Sequence, residues 1–326
     1  MIEQRPLGSS GPDIGRLGYG AMVLEGFYGE TEESASVAAL HKALECGLTM
    51  IDTADAYGAG NNETLIGRVI CSQRHDAFVA SKFGVVFDPR ERGRPLATNW
   101  AFSLNINATP EYAQRALDGS LKRLNSDHID LWYAHYPDPD VAIEETVGAM
   151  ADAVSAGKVR YLGLSNVTAE QVRRAHRVHP IAAVQYEYSL WRREAEAELL
   201  PTLRELGIAL VGWSPLGSGF LGGDVEIGAN DRRRANPRYT PENLAANRDR
   251  FAPFMAIAAE LNVTPAQLAL AWLLHQGDDI FPIPGTRKAT RVAENASAAT
   301  VQLEPALLQR IDELAKPGLA VGASLL

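Results

Sequence analysis

Along this chain, short apolar runs rich in Val, Ile and Leu alternate with longer stretches in which apolar side chains return every three or four residues. The first pattern reads as strand buried on both faces, the second as amphipathic helix. Eight runs are expected as strands: Leu17–Met22, Leu48–Asp52, Ala77–Lys82, Ile129–His135, Arg160–Ser165, Ile181–Gln185, Ile208–Ser214 and Ile280–Pro284. The helical spacing predicts helices over Glu33–Cys46, Thr109–Leu124, Ile143–Ala156, Thr168–Val178, Glu194–Leu206 and Thr264–Leu274. Another starts near Thr286, and a last one runs over about Pro305–Ala315. Gly47 and Gly157 stand where a helix C-terminus favours left-handed backbone. Thr109-Pro110-Glu111 is a cap followed by proline in the first turn.

Strands alternating with helices imply a parallel sheet. Eight such units favour a closed α/β architecture, a (β/α)8 TIM barrel formed by one domain over residues 1–326. The competing open sheet predicts GxGxxG between the first strand and a helix. Here Gly18-Tyr19-Gly20-Ala21-Met22 lacks the third glycine and leads into no helix. Leu7 to Asp13 reads as a turn or small hairpin ahead of the barrel. Two segments break the spacing, Phe83 to Ala108 and Gly217 to Asp249, and both are expected as long loops at the barrel mouth. The second holds Arg232-Arg233-Arg234, which reads either as solvated surface or as a lid that meets an anion.

Composition narrows the function. With 31 Lys+Arg against 40 Asp+Glu the net charge is −9, so neither nucleic acid nor an anionic membrane is expected as a partner. Hydrophobic residues at 46% and charged residues at 22% exclude a disordered chain. Cys46 and Cys71 are too few for a disulfide framework, so a cytoplasmic location is expected. The apolar run Leu268 to Leu274 is too short to span a bilayer.

In such barrels the chemistry gathers where strands end. The expected ends carry Asp52, Lys82, His135, Ser165 with Asn166, Gln185 and Ser214. Taken singly, an Asp–Lys pair reads as structural as readily as functional, and a lone His is an ordinary core residue. Their coincidence at one mouth points to a polar site. Tyr57, in the loop DTADAYG, can fold back over it. A phenol titrates near ~10, and an adjacent ammonium lowers that value. Lys82, oriented by Asp52, is therefore expected to tune Tyr57 into the proton donor that carbonyl reduction needs. The same lysine also fits a Schiff-base aldolase. His176 and His179 have no carboxylate at ligand spacing, so no metal is expected.

The eighth strand leads into Gly285-Thr286-Arg287-Lys288-Ala289-Thr290-Arg291. Helix N-termini attract anions, and barrels place phosphate near this loop. Thr286 as cap, with Arg287 and Arg291, suits a 2′-phosphate, and Glu294 and Asn295 lie within reach of an adenine. The alternative is an ordinary basic first turn. Trp213 can stack on a flat ring, and the Gly/Ser loop after it admits a pyrophosphate.

These residues resemble the aldo-keto reductase superfamily from Leu17 to about Ala315. The carriers are DTADAYGAGNNETLIGR (52–68), HIDLWYAHYPDP (128–139), GKVRYLGLSN (157–166), VGWSPLGSGFL (211–221) and IPGTRKATRVAEN (283–295). The chain looks like the bacterial and fungal branch that includes pyridoxal-reductase-like members. The resemblance implies an NADPH-dependent barrel that reduces a small-molecule carbonyl, with Asp52, Tyr57, Lys82 and His135 as its tetrad. It also implies nicotinamide contacts at Ser165, Asn166 and Gln185, with Trp213 stacked on the ring. Further NADPH/NADP+ contacts are expected at Gly20, Ala21, Met22 and Asp52, along Ser214, Pro215, Leu216, Gly217, Ser218 and Gly219, and at Gly285, Thr286, Arg287, Arg291, Glu294 and Asn295. Two departures are Trp213 where many mammalian members stack a Tyr, and Gly285 where they start the phosphate loop with Lys; both occur in the bacterial branches. Tyr28, Trp100 and Tyr136 are expected pocket walls, with Met22, Phe27 and Phe102 as further candidates. Two other functions fit the same features: a non-catalytic NADP-binding subunit or sensor, and the aldolase.

Overall fold

A computed structural model describes residues 2–99, 102–223 and 225–325. Its centre is eight parallel strands: β1 Tyr19–Gly20, β2 Met50–Asp52, β3 Phe78–Phe83, β4 Ile129–Ala134, β5 Val159–Ser165, β6 Ile181–Glu187, β7 Ala209–Trp213 and β8 Ile280–Pro282. Each pairs with the next in chain order. The two ends of the row also meet. The amides of Gly18 and Gly20 donate to the carbonyls of Pro282 and Pro284 at 2.9 and 3.2 Å. The sheet therefore closes on itself as a (β/α)8 barrel. The seam admits no side chain: a Cβ on Gly20 would stand 2.7 Å from the Ile283 carbonyl oxygen, and one on Gly285 2.3 Å from that of Gly20.

Side chains alternate across a strand. Ala80, Leu131, Tyr133, Ala183, Val211 and Phe281 fill the barrel interior, while Trp132, Leu162, Leu164 and Leu210 pack outward in a second, larger core. Bulk on one strand is matched by its absence on the next. Tyr133 lies opposite Gly163, and a Cβ there would meet its ring at 2.4 Å. Gly163→Ala should thus cost about 1–3 kcal/mol by overpacking and lower the thermal midpoint. An unchanged midpoint would show that the ring has room.

An antiparallel hairpin, Gln4–Pro6 with Asp13–Gly15, precedes the barrel. Leu7 from its turn is fully buried in the barrel interior, and the Ser9 amide donates to the Gly207 carbonyl at 2.7 Å. Since Gly207 lies two residues before β7 begins, the hairpin closes the N-terminal end and leaves the C-terminal mouth for chemistry.

The helices are α1 Glu33–Glu45, α2 Asn61–Ile70, α3 Pro110–Leu124, α4 Ile143–Ser155, α5 Ala169–Val178, α6 Leu199–Leu206, α7 Pro241–Glu260, α8 Pro265–Leu274, α9 Ala289–Ser297 and α10 Pro305–Leu314. Several elements differ from the sequence expectation. The helix α2 was not expected: it follows a glycine-rich turn, starts on two asparagines and carries Gly67 inside. That glycine lets α2 close on α3, since a Cβ there would stand 2.4 Å from the Leu124 carbonyl oxygen. The expected loop 217–249 ends early, because Thr240 caps α7 by accepting from the Asn243 amide. The segment 83–108 holds a hairpin, Arg94–Ala97 with Ser103–Ile106. Trp100 lies outside the described residues. β1 is short, and Met22 falls in a 3-10 turn, Ala21–Glu25. The stretch from Glu194 opens as a 3-10 turn, Glu194–Glu196, and becomes helix only at Leu199. Among the described residues no single helix is long and apolar enough to cross a membrane.

Candidate active site

Three adjacent strands deliver the central group. β2 ends on Asp52, Lys82 is the penultimate residue of β3, and His135 follows β4. The chain after β2 keeps pairing with β3: the amides of Thr53 and Asp55 donate to the carbonyls of Ala80 and Lys82 at 2.8 and 3.1 Å. Then a left-handed pair, Gly58 and Ala59, turns it back. That turn brings the Tyr57 phenol onto the Lys82 ammonium.

Lys82 is fully buried, and its Nζ donates to Asp52 Oδ1 at 2.5 Å, to the Thr53 carbonyl at 2.7 Å and to Tyr57 Oη at 3.2 Å. Asp52 Oδ2 accepts from Gln185 Nε2 at 2.6 Å. The His135 ring lies edge-on to Tyr57, with centroids 5.9 Å apart, and stacks on Tyr136 at 5.0 Å. The expected four residues therefore do assemble, with Gln185 as a fifth member bonded to Asp52.

Burial governs the electrostatics. It pushes the Lys82 ammonium down and the Asp52 carboxyl up, and each opposes the other's shift. Burial also drops His135 well below its usual value, aided by Lys82, so its imidazole is neutral. Tyr57 departs from expectation. Burial pushes its phenol well above the usual value, and the charge of Asp52 adds to the rise. The ammonium was expected to pull the phenol toward neutrality. Its charge is instead matched by the Asp52 carboxylate it bonds, so little net field is left to offset the cost of a buried phenolate.

Two polar residues that sequence reasoning passed over brace this arrangement. Asn62 and Glu63, at the start of α2, are fully buried. Asn62 Oδ1 accepts from Thr53 Oγ1 at 2.7 Å, and its Nδ2 donates to the Ala21 carbonyl and Glu25 Oε1 at 3.0 Å each. Glu63 accepts from Ser81 Oγ at 2.5 Å and Arg123 Nε at 2.7 Å. Asn62 thus fixes Thr53, whose carbonyl holds Lys82. The signal was the polar triplet Asn-Asn-Glu directly after the glycine turn. Glu187, at the end of β6, was also missed; it is buried against Arg192 at 3.0 Å and Arg238 at 3.6 Å.

The remaining expected residues ring the same mouth. Asn166 takes left-handed backbone at φ 57°, and its Nδ2 donates to the His135 carbonyl at 3.1 Å and to Ser165 Oγ at 3.0 Å. Trp213 is half-buried beside the interior core. In the loop that follows, Ser214, Gly217, Ser218 and Gly219 all have positive φ. Tyr239 Oη fastens this turn by donating to the Gly217 and Ser218 carbonyls at 2.9 and 3.0 Å. Of the three consecutive arginines only Arg233 is buried; it pairs with Asp231 at 2.5 Å and donates to the Ser218 carbonyl.

At β8 the expectation holds in part. Gly285 is dictated by the seam, which explains why no lysine stands there. Tyr19 Oη donates to the Thr286 carbonyl at 2.6 Å. Thr286 does not cap the helix: Lys288 is still extended at φ −105° and is the N-cap of α9. Thr286 Oγ1 accepts instead from the Lys288 amide at 3.2 Å. Arg287 is turned away from the helix start, onto the carbonyls of residues 28–30. Lys288 and Arg291 stand exposed in the first turn of α9, with Asn295 buried and Glu294 half-buried one turn on. That turn has no side-chain cap and no acidic residue, which suits an anion. Tyr136 is buried and Tyr28 half-buried at the mouth, with the Tyr28 hydroxyl facing Ser214 and Ser218.

The profile of the Aldo/keto reductase family matches residues 16–316. The chain belongs to that family. A curated relative, "Probable aldo-keto reductase 1" of Glycine max, is 41% identical over 327 residues, covering 99% of this chain and 91% of that protein. Among solved structures, the glycerol dehydrogenase of Gluconobacter oxydans superposes with a TM-score of 0.84 at 23% identity, covering 99% of this chain and 98% of that one. An aldo/keto reductase from Klebsiella pneumoniae, solved with NADP and acetate, gives 0.75 at 24% identity, covering 100% and 99%. A thermostable aldo-keto reductase solved with the inhibitor epalrestat gives 0.74 at 28% identity, covering 96% and 100%. This aldo-keto reductase is accordingly an oxidoreductase, of a family that acts on carbonyl groups with nicotinamide cofactors.

Proposed function

We propose that this aldo-keto reductase reduces an aldehyde or ketone to an alcohol with NADPH, and that Tyr57 supplies the proton. The observation that carries the reading is the chain Asp52–Lys82–Tyr57, which leads from two buried charges to a half-buried phenol beyond the strand ends. When bound, the nicotinamide supplies the hydride. In this reading Ser165, Asn166 and Trp213 would hold that ring, and Lys288, Arg291, Glu294 and Asn295 would hold the adenosine end.

The chain's own residues then account for the proton. Tyr57 keeps its hydrogen through neutral pH, because burial disfavours the phenolate. As the carbonyl oxygen gains negative charge, Tyr57 Oη releases the proton to it. The phenolate left behind accepts from the Lys82 ammonium, already 3.2 Å away, and solvent later restores the proton. Asp52 keeps Lys82 charged and aimed, and the neutral His135 ring lies beside the phenol to fix the substrate oxygen. With three acceptors on its ammonium, Lys82 has no free amine lone pair. That supports proton supply over Schiff-base formation. Since the site draws on strands β2 to β8, we read residues 1–326 as one catalytic domain, and its two unpaired thiols support a reducing, cytoplasmic compartment.

The pH dependence tests this. Reduction needs the protonated phenol, and its titration is raised above the ordinary ~10. The turnover number for reduction should therefore stay level from about pH 6 to 9. It should fall only as pH rises through the phenol's own value. A rate that declines through neutrality would instead support a phenol tuned down by Lys82.

A further inference from the structure

The following inference rests on the reading that a nicotinamide dinucleotide lies across the mouth toward α9. Arg287 was expected as a ligand of the 2′-phosphate. Its guanidinium is engaged elsewhere. Nη1 donates to the carbonyls of Gly29, at 2.7 Å, and Glu30, and Nη2 donates to the carbonyl of Tyr28 at 2.9 Å. Three consecutive carbonyls converge on one planar fork, an arrangement that an ammonium cannot match. The backbone is shaped for it, since Gly29 sits at φ 97°.

The same segment is held from its other side by the loop after β7. The Arg232 amide donates to the Phe27 carbonyl at 3.1 Å, and the Arg232 guanidinium lies 4.6 Å from the Phe27 ring centroid. Arg233 lies 4.9 Å from that of Tyr28. Arg233 cannot swing away freely, because it is buried against Asp231 and the Ser218 carbonyl. Residues 27–30 therefore bridge two loops far apart in the chain: the one after β8, through Arg287, and the one after β7, through Arg232 and Arg233. On that reading, a dinucleotide lying from the mouth to α9 would run beneath this bridge.

We propose that Arg287 is a positioning residue that closes this bridge and retards escape of the dinucleotide, whether or not it carries a 2′-phosphate. Discrimination for that phosphate falls to Lys288 and Arg291, exposed at the start of α9. Three of the five N–H groups of Arg287 are committed to carbonyls, and turning the fork to a phosphate breaks the bridge.

The two roles differ in what they do to NADH. A phosphate ligand acts on NADPH alone, whereas a bridge acts on both cofactors. Stopped-flow dissociation of NADPH and of NADH from the full chain, with melting temperature as a control for folding, separates them. Arg287→Met should release both cofactors faster by the same factor, about 10-fold for the lost hydrogen bonds, and leave the NADPH/NADH affinity ratio unchanged. Arg287→Lys should behave like Arg287→Met, although a phosphate ligand would be largely preserved by lysine. Arg291→Met should weaken NADPH about 10-fold and spare NADH. Should Arg287→Met fail to fold, Gly29→Ala opens the bridge from the other side and should also speed release of both cofactors. Loss confined to NADPH, or unchanged release of both, overturns the proposal. A wild-type chain that binds neither cofactor overturns the dinucleotide reading itself, which is a separate outcome.

Discussion

Tyr57→Phe is expected to cut turnover with a reactive aldehyde by about 10²-fold or more, with NADPH affinity nearly unchanged. The substitution removes one oxygen and nothing else from the site. Lys82 keeps its bonds to Asp52 and the Thr53 carbonyl at 2.5 and 2.7 Å, so the buried charge stays paired and the fold should hold. What disappears is the one partner of that ammonium, among the described residues, that has a proton to give. Turnover and thermal midpoint measured on the same preparation check this. Near wild-type turnover would mean that another acid, or water, protonates the product, and that the Asp52–Lys82–Tyr57 chain is structural.

The second large effect concerns Lys82, where chemistry and stability should separate. Lys82→Met is expected to abolish measurable reduction and also to destabilise the protein by about 3–5 kcal/mol, because Asp52 is left buried without its cation. Adding Asp52→Asn removes that stranded charge. The double variant Asp52→Asn/Lys82→Met should regain much of the lost stability and none of the activity. Denaturant unfolding, run alongside the activity assay, reads the two together. Recovery of activity in the double variant would show that the ammonium is dispensable. Failure to recover stability would show that Lys82 contributes chiefly by packing.

The barrel was legible because strands buried on both faces read as uninterrupted apolar runs, and eight such runs leave little choice of topology. What escaped were elements whose local signal is weak. The helix α2 begins on Asn61 and Asn62 and contains Gly67, all poor helix formers, and it is stabilised by close approach to α3 that no single-segment pattern displays. The Thr240-Pro241 cap of α7 was readable by the same rule as Thr109-Pro110, but an Asn- and Arg-rich neighbourhood concealed it. At the site, Asp52, Tyr57, Lys82 and His135 were legible as types at strand ends. Their electrostatics were not, because burial of the phenol opposes its ionisation and Asp52 cancels there the charge that Lys82 brings. Arg287 shows the same limit. A long guanidinium near a helix start reads as a phosphate ligand, yet its partners are carbonyls at residues 28–30, brought near only when the barrel closes between β1 and β8.

Carbonyl reduction at this mouth should be coupled to cofactor oxidation. The stoichiometry of NADPH consumed to alcohol formed, measured with the wild-type chain over a panel of aldehydes, ketones and keto-sugars, tests it most directly. At least one carbonyl should be turned over, with one NADPH consumed per alcohol formed. A chain that binds NADPH tightly yet oxidises it with no member of the panel would contradict it, and would make the protein a cofactor-binding subunit or sensor.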